Sequence, residues 1–175
     1  MSTGEAMDAV PGAIGLTELS PTELAAWRGL LRVHTALARV LDAELEQVHG
    51  LSLSSYEVLM LLQTAPGHRM RMAELADRVL LSRSGMTRLV DRLEREGLLE
   101  RATCSSDGRG CYAKLTGEGA ALLAEARPTH LAGVRERFLR HVDEEEQRLL
   151  ATCWERMVPG AAAPGHQAPD LSLAD

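Results

Sequence analysis

Apolar positions along this chain repeat with two different periods, and the switch between them marks how it is organised. The opening stretch, Met1 to Leu19, has Gly, Pro and Ala without periodicity and reads as a flexible arm. Apolar residues then recur at Leu24, Trp27, Leu31, Leu37, Leu41 and Leu45, a helical stripe that lasts to about His49-Gly50. Its start is sharp. Ser20-Pro21-Thr22-Glu23 puts a capping hydroxyl before a proline whose missing N–H does no harm there, and follows with a Glu that can reach back to the cap. A second such box, Ser54-Ser55-Tyr56-Glu57, predicts a short helix carrying Val58, Leu59, Leu61 and Leu62 and closed by Ala65-Pro66-Gly67. A third short helix is expected over Met72 to Val79, with Leu75, Ala76 and Val79 inward, before Leu80-Leu81-Ser82 interrupts and restarts the chain.

From Ser82 to about Glu96 the period is again helical. Met86, Leu89, Val90 and Leu93 share one face, and Gly97 is placed to take the left-handed conformation that closes a helix. The opposite face holds Arg83, Ser84, Thr87, Arg88, Asp91 and Arg92, a continuous polar stripe. Beyond Gly97 the pattern becomes strand-like. Leu98 to Cys104 and Cys111 to Leu115 flank Ser105-Ser106-Asp107-Gly108-Arg109-Gly110, which predicts a hairpin. Thr116 caps a long helical stretch through about His141, with Leu123, Leu131, Val134 and Phe138 apolar and a kink expected at Pro128. Asp143, with Glu144, Glu145 and Glu146, begins a last helix bearing Leu149, Leu150, Cys153 and Met157. From Pro159 the chain is rich in Ala, Gly and Pro and reads as a disordered tail.

Composition narrows the function classes. The 175 residues are 45% hydrophobic but only 3% aromatic, enough for one substantial core built mainly from Leu, Val, Ala and Met. No run approaches the roughly 20 apolar residues of a membrane span, and the start lacks a signal-peptide layout, so a cytoplasmic protein with no membrane partner is expected. The net charge of −6 hides an asymmetry: residues 66–115 carry a net +3 and the remainder −9. Local positive charge on an acidic scaffold is what a module facing a polyanion would show.

Two short helices joined by a tight turn, the second with a polar outer face, followed at once by a hairpin, form the winged helix-turn-helix pattern. The physics of that pattern assigns roles to its residues. A duplex major groove admits one helix, whose N-terminal residues reach base edges. Ser82, Arg83, Ser84, Thr87, Arg88 and Arg92 are therefore the candidate DNA-binding residues of a recognition helix, with Ser82, Ser84 and Gly85 small enough for close approach. Arg109 at the hairpin tip is placed to enter a minor groove, and Asp107 to brace the wing by accepting hydrogen bonds. Asp91 and Arg92 could equally pair with neighbours.

The run from Leu80 to Arg101, LLSRSGMTRLVDRLEREGLLER, with Asp107-Gly108-Arg109-Gly110 and the following Leu115-Thr116, resembles the MarR family of bacterial regulators. The resemblance spans about Thr22 to Val158 and is most specific from Met72 to Gly119. It implies a mainly α fold with a small β-hairpin wing, in which a winged helix-turn-helix domain (51–116) is carried on N- and C-terminal dimerisation helices (20–50 and 117–158). The implied molecule is a homodimer presenting two winged domains to a pseudo-palindromic operator, most often as a repressor. The family's D-x-R wing maps onto Asp107 and Arg109, but Gly108 stands where a second Arg is common. Relatives bind small phenolic or aromatic effectors in a cleft that would here be lined by Trp27, His34, Tyr56 and Arg88. Peroxide-sensing members keep a cysteine in the first helix, and the stretch from Pro21 to Gly50 has none.

Other chemistry finds little support. Cys104 and Cys111 sit on opposite arms of the hairpin, where a thiol switch or two unrelated strand residues are both open, and Cys153 reads as core. His34, His49, His68, His130 and His141 show no local metal-ligand spacing, so no metal and no cofactor are expected. With no phosphate loop and no nucleophile beside a recognisable base, no catalytic residues are assigned and an enzyme is disfavoured. The rival reading is a winged-helix protein-interaction module that does not bind DNA.

Overall fold

The computed structural model describes residues 18–79, 81–103 and 111–162. Six α-helices and three strands are described: α1 (Pro21–His49), α2 (Leu53–Thr64), β1 (Arg69–Arg71), α3 (Met72–Arg78), α4 (Arg83–Arg95), β2 (Leu99–Thr103), β3 (Cys111–Leu115), α5 (Gly117–Arg137) and α6 (Glu144–Met157). Short 3-10 turns precede β1 and follow α5. The chain divides into two compact units between Ala36 and Leu37, within α1. In the first, Ser20 Oγ accepts from the Glu23 N–H and Glu23 returns a 2.7 Å bond to the Ser20 N–H, the reciprocal cap read from the sequence. Trp27, Leu30, Leu31 and Val33 on this part of α1 are exposed.

The second unit contains the core. Val58, Leu59, Leu61 and Leu62 of α2 meet Leu75 and Ala76 of α3, Met86, Leu89, Val90 and Leu93 of α4, and Leu123 and Ala126 of α5. Each fully buried Leu or Met is worth about 1.5–3 kcal/mol over its exposed state, so this cluster holds the winged region together. The strands form one antiparallel sheet in the order β1-β3-β2, with Met70 opposite Ala113 and Leu99 opposite Leu115 facing inward. The hairpin of β2 and β3 was expected; β1 was not.

Three expectations need correction. The N-cap of α2 is Ser52, whose hydroxyl accepts from the Ser55 N–H, and not Ser54. The earlier start is fixed because Asp42 Oδ1 accepts the Leu53 N–H at 2.8 Å and Ser55 is pulled into the interior. The stretch expected to run to about His141 ends as an α-helix at Arg137, while Pro128 is carried inside the helix without ending it. Finally, α6 contributes no fully buried residue, so Cys153 is half-buried on a helix face and not in the core. On the distal side of the unit, Arg137 pairs with Glu44 at 2.8 Å and His49 shares a 2.8 Å hydrogen bond with Thr129, pinning α5 to the second half of α1.

Candidate nucleic-acid interface

The helix that carries the polar stripe is set in place at both ends. At its start, Ser82 Oγ accepts the Gly85 N–H at 3.1 Å, and the Leu81 N–H donates to the Ala76 carbonyl, which fixes the turn from α3. At its end, the N–H of Gly97, a residue with φ +74°, donates to Glu94, and the Leu98 N–H donates to Leu93. Met86, Leu89, Val90 and Leu93 are buried, so the face opposite them must point outward. It does: Ser82, Arg83, Ser84, Thr87, Arg88 and Arg92 are all exposed.

These residues divide into two groups by what they already bond. Arg83, Ser84, Thr87 and Arg88 form the first two turns of the exposed face; Thr87 donates its hydroxyl proton to the Arg83 carbonyl at 2.9 Å, and the hydroxyls of Ser84 and Ser82 share a 3.2 Å hydrogen bond. Arg92 is committed elsewhere. Its guanidinium donates to Ser55 Oγ at 2.7 Å and Ser52 Oγ at 3.0 Å, tying α4 to the cap of α2. Asp91 pairs with Arg101, which also bonds Glu94, so this second half of α4 is clamped to the base of β2. Between α2 and α4 lies a groove of about 320 Å³ lined by Ser52, Ser54, Leu81, Arg88, Leu89 and Arg92.

The remaining candidates are placed as follows. Asp107, Gly108, Arg109 and Cys104 lie outside the described residues, as does the side chain of Cys111. Tyr56 is buried with its ring 4.5 Å from that of His130, and it does not line the groove that Arg88 lines. Burial pushes the Tyr56 hydroxyl pKa up, with Arg127 opposing, and holds His130 below its ordinary value; among the described residues His130 Nδ1 has no hydrogen-bond partner. Burial likewise raises the Glu57 carboxyl. Trp27 and His34 are exposed on the first part of α1. Among the described residues no cluster of His, Cys, Asp and Glu could hold a metal ion. Sequence reasoning missed the exposed pair Arg69 and Arg71, although their alternation around the buried Met70 was a strand signal.

Comparison with known proteins decides what this arrangement belongs to. The family model described as MarR family matches residues 49–110. The chain is also 30% identical over 109 residues to the HTH-type transcriptional regulator MhqR of Bacillus subtilis, a match covering 62% of this chain and 73% of that one. The chain belongs to the MarR family. The HTH-type transcriptional repressor YetL of Bacillus subtilis is 33% identical over 111 residues, covering 62% of this chain and 66% of YetL, just under two thirds of its length. Two solved MarR-family regulators of Streptomyces coelicolor share the fold: AbsC, at TM-score 0.74 and 34% identity, covering 79% of this chain and 93% of its own, and Sco3205, at TM-score 0.75 and 32% identity, covering 86% and 97%. The Sco3205 structure is a complex with DNA. Transcription regulation, the role these relatives' names carry, is not an enzymatic one. No described helix of this MarR-family chain is long and apolar enough to cross a membrane.

Proposed function

We propose that this MarR-family regulator binds double-stranded DNA as a homodimer, reads a pseudo-palindromic operator with α4, and represses the genes beside it until a small phenolic or aromatic molecule relieves binding. The observation that carries the reading is the exposed face of α4. Ser82, Arg83, Ser84, Thr87 and Arg88 stand clear of the protein on a helix whose other face is locked in the core, and they offer guanidinium forks and small hydroxyls to a groove. The Sco3205 complex with DNA supports the same use of a related fold, and the name of YetL supports repression. On this reading Asp107 and Arg109 form the wing contact, and Arg92, bonded to Ser52 and Ser55, positions α4 while lying beside the backbone.

Dimerisation is supported by apolar side chains left in water. Trp27, Leu31 and Val33 in one unit, and Leu149 and Met157 of α6 in the other, are exposed, and α6 buries no residue fully within its own chain. Within the second unit, Arg88, which lines the groove between α2 and α4, is the proposed effector-facing residue. The test is a gel shift on genomic fragments selected by the full chain, repeated across salt and with simple phenols. Binding that falls steeply with salt, two protein copies per site, and release by a phenol support the three parts in turn. Binding that salt does not alter, or none to any duplex, would favour a winged module that docks protein.

A further inference from the structure

The outer face of the sheet carries a basic cluster that none of these roles uses. Alternation along the strands turns Met70, Ala113, Leu99 and Leu115 into the core and leaves Arg69, Arg71, Glu100 and Lys114 exposed around a half-buried Tyr112. Arg71 Nε donates to the Tyr112 hydroxyl at 3.0 Å. The guanidinium carbons of Arg69 and Arg71 lie 5.6 and 5.3 Å from the centre of the Tyr112 ring. One aromatic plate therefore holds two cations, which removes much of the side-chain freedom that an exposed Arg would otherwise lose on binding. Lys114 is paired with Glu100 at 2.8 Å, whereas neither Arg69 nor Arg71 takes part in the ion pairs found among the described residues.

Register places this cluster at the root of the wing. Arg71 pairs with Tyr112, and the next rung of the β2–β3 ladder, Thr103 with Cys111, is the last before residues 104–110, which carry Asp107 and Arg109. A duplex backbone running along this end of the sheet would meet Arg71 and then Arg69.

We propose that Arg69 and Arg71, braced by Tyr112, form a second phosphate-binding surface that takes the duplex backbone beyond the wing and lengthens the footprint on DNA. This rests on the DNA-binding reading above. A duplex fits better than an acidic protein. Two arginines one strand repeat apart, about 6.6 Å, meet several charges of a polyanion carrying one per ~1.7 Å. The adjoining groove is lined by Pro66, Gly67, Arg69, Glu100, Ala102 and Lys114. Contacts of this kind add affinity and no sequence preference.

The experiment measures affinity of the full chain for a labelled duplex chosen from genomic fragments by the wild type, between about 50 and 200 mM salt. Losing one phosphate contact should lower the slope of log K against log salt by about 0.9, which near 0.15 M salt is a loss of about fivefold. Arg71→Ala and Arg69→Ala should each do this, the double variant should do it twice, and Arg71→Lys should recover most of the slope. Trimming the flanks of the duplex should weaken the wild type and leave the double variant unchanged, with preference over a scrambled duplex kept throughout. Thermal unfolding reports on folding, and Tyr112→Phe, which keeps both charges, should cost less than either Ala variant. Wild-type affinity and slope in a folded double variant would overturn the proposal. So would a loss that lysine fails to restore, or a double variant that keeps duplex binding but loses binding to polyglutamate. Failure of the wild type to bind any duplex would instead remove the DNA reading, and this proposal with it.

Discussion

Arg92→Ala separates a strut from a base-reading residue. Arg92 donates to Ser55 Oγ at 2.7 Å and Ser52 Oγ at 3.0 Å, and these bonds join the second half of α4 to the start of α2. Each bond is worth about 0.5–1.5 kcal/mol net, and because Arg92 is itself exposed the lower half of that range applies. Truncation leaves no orphan, since the Ser52 and Ser55 hydroxyls remain bonded to each other at 2.8 Å. The loss should be about 1–2 kcal/mol, which for a chain of this size lowers Tm by roughly 3–6 °C. The assay is thermal unfolding at a fixed protein concentration, because association would otherwise shift the midpoint. Ser55→Ala should be non-additive with Arg92→Ala by about 0.5 kcal/mol or more, since each removes the same bond. Affinity for the selected duplex should fall only a few-fold, with preference unchanged. An unaltered Tm together with altered sequence preference would refute the strut and make Arg92 a reader.

Two further outcomes follow from the packing and from burial. Gly119 lies where an added Cβ would collide with the Leu98 carbonyl and the Leu115 side chain, so Gly119→Ala should cost about 3 kcal/mol in chemical denaturation, whereas Gly117→Ala, with open space, should be near neutral; equal effects would contradict the close approach. Burial holds His130 below its ordinary pKa near 6.5, so as pH falls through that value the unfolded chain takes up the proton first and stability is lost toward the folded pKa. His130→Asn should flatten the fall in Tm between about pH 6.5 and 5, and a slope equal to the wild type would show that His130 does not titrate as argued.

Local signals carried most of the fold. The cap at Ser20, the buried face of α4 and the glycine at its end are fixed by neighbours within a few residues, and all three are found where the pattern places them. What was not legible depends on distant partners. β1 is three residues long and exists because Arg69 pairs with Lys114 far along the chain, a register that local periodicity does not encode. The Ser54-to-Glu57 spacing satisfied a capping box, yet Asp42, eleven residues before Leu53, moved the helix start to Ser52 and left Glu57 half-buried. The site shows the same division. The outward stripe of α4 was readable as a stripe, but that Arg92 and Asp91 are bound within the protein depends on Ser55 and Arg101 arriving from other elements.

Guanine methylation interference on the selected duplex reports whether the first turns of α4 lie in a major groove, because N7 is exposed only there. If they do, interference falls in two clusters about 10 base pairs apart on one face of the duplex, and Arg88→Ala or Thr87→Ala changes the positions within each cluster. Interference confined to minor-groove adenine N3, or a pattern that neither substitution alters, would contradict that placement.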